Sequence, residues 1–528
     1  MRRLLVAAML AAGSLAAGSL AACNLLLGIE EQDARPVPDD AGDAEAEAAA
    51  RPSFEACTRD VDCVAPNGCY TPHCDTVLGA CTYALCETKD RTCARGVCDT
   101  STFVCSDALP YGFLATQYDV RNVTSGCGPK PESCVAAAYP FVFIGTQTDI
   151  VAVRGDDLAG KTAVNVPVTG LTFKPQQVIG SGRRVWVLGA VVGSVPPYQL
   201  PIASIDVPSD PTVTEIHAQT TVLGYSFPSA VGFPAANGGL FVVYDDATQG
   251  MPTALLAPPI ADGTTLGLAS AADAGPIDGG APTVRSTTNM IRTSGVPAGA
   301  TVAASSGSRI VLYRYPSTFN LVAAAGTPMA SVQGDLALNA PLTSLYGATT
   351  TSFTQGPDGT VIIAGPVAAD SPADCNCTTH ARLQYVFPNA IATATDVNQI
   401  FDTESWVNPG PPPMSPTCRQ CAAGYEARRY LVSWLDRRTA LMAAPVSAAA
   451  GARNVTDVRM VGRDPSESNP KRHYTTKPTD MPKGELGVDR IALTSSNGIG
   501  YLVLADGQGN NITLSIMDPA CDAVAPNP

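Results

Sequence analysis

From about residue 135 to residue 520 the chain repeats one local theme: a glycine-containing turn, a short apolar strand, a polar turn, and a second apolar strand. The turn and first strand read Gly182-Arg183-Arg184-Val185-Trp186-Val187-Leu188. They recur as Gly238-Gly239-Leu240-Phe241-Val242-Val243-Tyr244, Gly307-Ser308-Arg309-Ile310-Val311-Leu312-Tyr313, Asp358-Gly359-Thr360-Val361-Ile362-Ile363 and Gly498-Ile499-Gly500-Tyr501-Leu502-Val503-Leu504. Arg429-Tyr430-Leu431-Val432-Ser433-Trp434 is a version without the glycine, and Asp149-Ile150-Val151-Ala152-Val153 reads as an opening copy. Second strands include residues 201–207, 382–387 and 511–516. Runs rich in β-branched and aromatic residues, punctuated by Gly, Asn and Asp, are the pattern of antiparallel hairpins.

The starts of these hairpins are separated by roughly 50 to 70 residues, room for a four-stranded sheet with its loops. Six or seven such units resemble a β-propeller, in which small sheets are arranged radially. The expected fold is therefore all-β, a six- or seven-bladed propeller-like domain over 135–521 followed by a tail at 522–528; a pair of β-sandwiches is the alternative. No WD, kelch or Asp-box signature narrows the class. With 45% hydrophobic and only 15% charged residues, 47 Gly and 44 Pro, the chain is turn-rich and poor in long-helix formers.

Ahead of the repeats, residues 53–134 read as a small disulfide-rich module. From Cys69 the cysteines fall at 69, 74, 81, 86, 93, 98 and 105, gaps of four and six residues alternating, so that one unit recurs every twelve. Cys74-Asp75-Thr76 and Cys98-Asp99-Thr100 match beyond the cysteines, and Cys57 and Cys63 form an irregular front end. A twelve-residue unit is too short for an apolar core, so crosslinks must supply its stability. Metal binding by these cysteines with His73 is the sharper alternative, but the gaps are not the tight knuckles of zinc sites. The Asp60-Val61-Asp62-Cys63 start resembles that of Cys-rich modules in myxobacterial-type lipoproteins. Cys127 and Cys134 follow, then Cys375, Cys377, Cys418 and Cys421, and Cys521 stands alone near the end. Parity pairs Cys521 with one of the earlier eleven, Cys127 or Cys134 being the expected partner, and such a bond would tie the start of the large domain to its finish.

The first 22 residues, Met1-Arg2-Arg3 and an Ala/Leu-rich run broken by Gly13, Ser14, Gly18 and Ser19, read as a secretory signal rather than a spanning helix. Leu20-Ala21-Ala22-Cys23 resembles the lipobox of bacterial lipoproteins. The resemblance implies lipidation of Cys23, attachment to the membrane through that lipid, and an exported compartment in which disulfides form. Asn24, where an inner-membrane retention signal would carry Asp, points to the outer membrane, facing the periplasm or the cell surface. Residues 23–52 are the anchor and an acidic, Pro/Ala-rich tether that has nothing to bury. The net charge of −14 argues against nucleic acid as a partner, since that requires clustered Lys and Arg.

No catalytic residue emerges. His73, His217, His380 and His473 are the four histidines, and none lies in a nucleophile-elbow or metalloprotease frame. Cys375, Cys377, His380, Cys418 and Cys421 are the one constellation with metal-ligating chemistry; two disulfides clamping an insertion are the first reading and zinc the alternative. Residues 506–511 carry oxygen ligands at calcium-loop spacing but lack the closing Glu, and a hairpin turn accounts for them, as a turn also accounts for Arg154-Gly155-Asp156. No cofactor is expected, calcium or zinc being the alternatives. The functional expectation is a non-enzymatic binding or scaffolding lipoprotein serving an envelope protein or glycan, through segments 365–380, 403–428 and 464–484. The alternative is an envelope hydrolase or lyase acting on glycan or peptide through a channel site.

Overall fold

Strands covered by a neighbour on each side have no solvent face, and their sequences are then continuously apolar instead of alternating. That is the state of Phe141–Gly145 and Arg184–Gly189, in which every residue is buried. In the computed structural model, which describes residues 54–121, 134–225 and 491–521 with short gaps and mainly the strands of 226–490, seven four-stranded antiparallel meanders follow one another; five stand as separate sheets, and the first two are joined into one nine-stranded sheet by a short parallel pairing of Val168 and Thr169 with Ile216 and His217, with Thr265–Gly267 added parallel to Ile216–Tyr225. Blade 1 comprises Val135–Ala138, Phe141–Gly145, Ile150–Arg154 and Asn165–Thr169, and blade 2 Pro175–Ser181, Arg184–Gly189, Tyr198–Asp206 and Ile216–Tyr225. The first strands of blades 3 to 7 are Ala230–Pro234, Thr301–Ser306, Ser352–Gln355, Leu431–Trp434 and Ile491–Ser496. The first strand of each blade touches that of the next all the way round, and the first strand of blade 7 touches that of blade 1. The ring is closed, and the fold is a seven-membered β-propeller-like ring.

Side chains on either face of a blade enter different cores. Phe141 and Phe143 of blade 1 pack with Val185, Val187, Ala203 and Ile205 of blade 2. Val142 and Ile144, one residue out of phase, pack instead with Tyr501, Val503 and Leu514 of blade 7. Trp186 and Leu188 of blade 2 turn to Leu240 and Val242 of blade 3. The period of two thus distributes one apolar run between two interfaces. Side chains also bridge adjacent blades: Gln177 makes two hydrogen bonds to the backbone of Gly232, 2.8 and 3.0 Å, Thr494 Oγ1 accepts from Ala137 N at 3.1 Å, and Trp186 Nε1 donates to Gly238 O at 2.8 Å.

The last blade is completed from the other end of the chain. Ile491–Ser496, Ile499–Ala505 and Asn511–Met517 supply three strands, and Leu114–Arg121 adds the fourth against Asn511–Met517. This strand lies ahead of residue 135, where the sequence placed the start of the ring, so the ring begins about twenty residues earlier. Two hairpin copies also take other places. Residues 150–153 fall in the third strand of blade 1, Ile150–Arg154, and 431–434 form the first strand of blade 6, Leu431–Trp434; an apolar run by itself does not tell which strand of a blade it forms. The glycine turns join first to second strands, with Gly182, Gly238 and Gly498 at φ 59°, 73° and 72°, a region that Cβ-bearing residues adopt at a cost. In blade 1 the corresponding turn is Tyr139-Pro140, a cis peptide. Residues 464–484, one of the three segments expected to carry binding, contain the strand Lys471–Thr475.

The module is built from two like units. In the hairpin Tyr70–Asp75/Ala80–Leu85, Cys74 faces Cys81 across the strands, and in the smaller hairpin Cys98 faces Cys105. Each of the four bonds back to an upstream cysteine: Cys57–Cys74, Cys63–Cys81, Cys69–Cys98 and Cys86–Cys105. The shared Cys-Asp-Thr marks the turn that follows, where Asp75 Oδ1 accepts from Leu78 N at 3.1 Å and Asp99 Oδ1 from Ser101 N at 2.8 Å. Cys93 bonds to Cys521, so the partner of Cys521 is neither Cys127 nor Cys134. Cys134 is itself disulfide-bonded.

Candidate functional site at the junction of module and ring

In a four-stranded meander, the turns joining strands one to two and three to four lie at one end, and the remaining connections at the other. The module sits on the first of these ends, over blades 1, 2 and 7. Tyr139 Oη, in the first turn of blade 1, donates to Tyr83 O at 2.8 Å. Glu55 N donates to Ser209 Oγ at 2.9 Å, and Ser209 follows the third strand of blade 2. Tyr83 Oη donates to Glu55 at 2.5 Å. On blade 7, Tyr111 Oη donates to Asp518 Oδ2 at 3.1 Å beside the Cys93–Cys521 bond, and Asp518 N donates to Phe113 O at 2.9 Å.

The centre of the junction is charged and largely buried. Arg154, at the end of the third strand of blade 1, holds Asp156 through two hydrogen bonds, Nε to Oδ1 at 3.0 Å and Nη2 to Oδ2 at 2.6 Å, and also donates to Tyr70 Oη. The Asp156 side chain is 0% exposed. Burial works against the Arg154 charge, but Asp156 and then Tyr70 outweigh it and hold the guanidinium above its ordinary range. The neighbouring Asp157 is pushed up, by burial first and by the Asp156 charge second. Arg183, in the first turn of blade 2, is buried without a carboxylate contact. Its guanidinium donates to Tyr139 O, to Val207 O and Pro208 O at 3.3 and 2.9 Å, and to Ser209 Oγ at 3.3 Å. Burial brings it down to about 10.

Tyrosine hydroxyls hold both the module to the ring and, beneath it, blade 7 to blade 1. Besides Tyr83 and Tyr139, Tyr501 Oη donates to Gly155 O at 3.0 Å and Tyr118 Oη to Asp157 O at 2.9 Å. Burial pushes all four far above the ordinary phenol range, so each remains a hydrogen-bond donor throughout the physiological range. Gly155 lies under the Tyr501 ring; a Cβ there would stand 2.5 Å from Tyr501 Cε1. Chemically this is a joint that fixes two parts of one chain, with donors aimed at carbonyls and carboxylates of the protein itself.

Of the residues singled out by sequence, Cys57, Cys63, Cys69, Cys74, Cys81, Cys86, Cys93, Cys98, Cys105 and Cys521 are in the disulfides given above. The two tightest cysteine groups among the described residues, Cys57/Cys63/Cys81 and Cys69/Cys86/Cys105, consist of these disulfide sulfurs. His73 makes an exposed 2.7 Å contact with Glu87. His380 and His473 fall on strands His380–Val386 and Lys471–Thr475. Cys23, Cys127, Cys375, Cys377, Cys418, Cys421 and residues 506–510 lie outside the described residues, as do the leader, the tether and the tail. The joint itself escaped the sequence reading, in which Arg154-Gly155-Asp156 is only a turn; the one local sign is the charge of Arg183-Arg184 set directly against an apolar run.

No protein-family model matches this chain, and no curated protein does. Solved structures similar to it include the polysaccharide lyase Uly1, at 10% identity over 78% of this chain and 92% of that one, TM-score 0.38. The β-propeller domain of Cps50 (Swd1) from Myceliophteria thermophila is 9% identical over 76% and 99%, TM-score 0.35. The periplasmic gluconolactonase of Pseudomonas aeruginosa is 13% identical over 76% and 96%, TM-score 0.33.

Proposed function

We propose that this chain is an exported lipoprotein of the outer membrane, held through a lipid on Cys23, that binds or scaffolds an envelope protein or glycan without turning it over. One observation carries the reading. The module is locked over one end of the ring by Cys93–Cys521 and by the tyrosine and arginine hydrogen bonds above. A ring closed covalently and covered at one end offers its other end, made of second-to-third and blade-to-blade connections, as the surface for a ligand. Segments 365–380 and 403–428 begin in strands Val361–Pro366 and Phe401–Val407 of blade 5 and extend into those connections. A disulfide-closed scaffold carrying such connections suits recognition, because a preorganised scaffold loses little conformational entropy on binding.

Two measurements test this. Mass analysis of the mature amino terminus should find a diacylglyceryl-modified Cys23, and Cys23→Ala should release the protein from membranes; an unmodified terminus overturns the anchoring. Binding of envelope glycan and protein fractions to the soluble Cys23→Ala form should be saturable and should leave the ligand chemically unchanged. Ligand cleavage in that assay would replace the binding role with the hydrolase or lyase reading.

A further inference from the structure

Within each unit of the module, two disulfides lie side by side because their cysteines face one another across a hairpin, Cys74 with Cys81 and Cys98 with Cys105. The sulfurs of Cys57, Cys63 and Cys81 lie within 4.8 Å of one another, as do those of Cys69, Cys86 and Cys105. In the first group all three cysteines are buried, and the one partly exposed cysteine bonded to it is Cys74; in the second group Cys105 is itself partly exposed, as is Cys98, so both bonds of that unit reach the surface. Access governs where an external thiol attacks a disulfide, and the thiolate that leaves is then a nucleophile itself.

We infer that the first unit of the module is a two-stage redox device in which reduction of the partly exposed bond, Cys57–Cys74, is passed to the buried Cys63–Cys81 bond beside it by internal thiol–disulfide exchange. One thiolate of a dithiol reductant attacks Cys74 Sγ. The Cys57–Cys74 bond breaks, a mixed disulfide forms on Cys74, and Cys57 leaves as thiolate. Cys57 Sγ attacks Cys63 or Cys81, making a Cys57–Cys63 or Cys57–Cys81 bond and releasing the other cysteine as thiolate. The second thiol of the reductant then closes on its own sulfur and frees Cys74. One bond of the protein has gained two electrons and the reductant has lost them.

The exchange has a mechanical consequence. The native bonds clamp the front segment to the hairpin Tyr70–Leu85, which carries Tyr70 and Tyr83 onto Arg154 and Tyr139. A Cys57–Cys63 bond closes only within the front segment and releases that clamp, loosening the cover on the ring. The inference is independent of what the opposite end of the ring binds.

The full-length protein is treated with limiting dithiothreitol, thiols are trapped by alkylation at acid pH, and crosslinked peptides are mapped by mass spectrometry. Early samples should contain Cys57–Cys63 or Cys57–Cys81. Finding only native pairs beside alkylated native pairs overturns the inference. In a Cys57→Ala/Cys74→Ala variant the buried Cys63–Cys81 bond loses its internal donor, and its reduction should slow by about tenfold or more; an unchanged rate refutes the relay. Should that variant not fold, the crosslink map of the native chain decides alone.

Discussion

The bond between Cys93 and Cys521 spans a sequence separation of 428 residues, and its removal is the most informative single perturbation of this ring. If it alone constrained the unfolded chain, loop-closure entropy would put its contribution at about 6 kcal/mol at 25 °C. It does not act alone in the native state, because Leu114–Arg121 is paired along Asn511–Met517, with Leu114 opposite Met517. Counting from Cys93 to Leu114 and from Met517 to Cys521, the loop that the bond closes on the folded ring has roughly 25 residues, and the same expression gives about 3.5 kcal/mol. At about 2.1 cal/mol/K per residue, the unit Pro52–Pro528 has an unfolding entropy of about 1 kcal/mol/K. A Cys93→Ala/Cys521→Ala variant should therefore melt about 3 to 6 °C lower in scanning calorimetry. A fall near 6 °C means that the bond and the strand are lost together, and one near 3 °C that the strand closes the ring by itself. A shift below 1 °C would refute the view that this bond clasps the ring.

Other consequences can be measured by denaturant or thermal unfolding. Asp156→Asn leaves the Arg154 charge buried without its carboxylate and should cost about 3–5 kcal/mol; a loss under 1 kcal/mol would mean that water reaches the junction. Trp186, 0% exposed between blades 2 and 3, should lose about 3–5 kcal/mol on substitution by alanine, seen as a lower urea midpoint at unchanged slope. Gly500→Ala would set a Cβ 2.1 Å from Leu441 Cδ1 and should cost about 1–3 kcal/mol, an effect that Leu441→Ala should partly relieve. For Asp157 the folded-state pKa lies above its unfolded value, so the folded state binds the proton more tightly. Stability from this group is fully present below the ordinary carboxylate range and is lost as pH rises through the raised value; Asp157→Asn should flatten that slope in Tm against pH, and an unchanged slope assigns it to another group.

The chain by itself determined the all-β class, the ring of repeated four-stranded units and the crosslinked module before it. These are local properties: glycine turns such as Gly182 and Gly498 need positive φ, runs such as Val185–Leu188 are apolar because both faces are covered, and cysteines every twelve residues mark hairpins too small for a core. The blade count, the partner of Cys521 and the start of the ring at Leu114 were settled only in three dimensions. Each depends on which strand edge or sulfur meets another across hundreds of residues, and periodicity carries no record of such encounters. The same holds for the joint. Arg154, Asp156 and Arg183 look like surface charges in sequence, and they are buried because the module, folded from a different part of the chain, closes over the end of the ring where they lie.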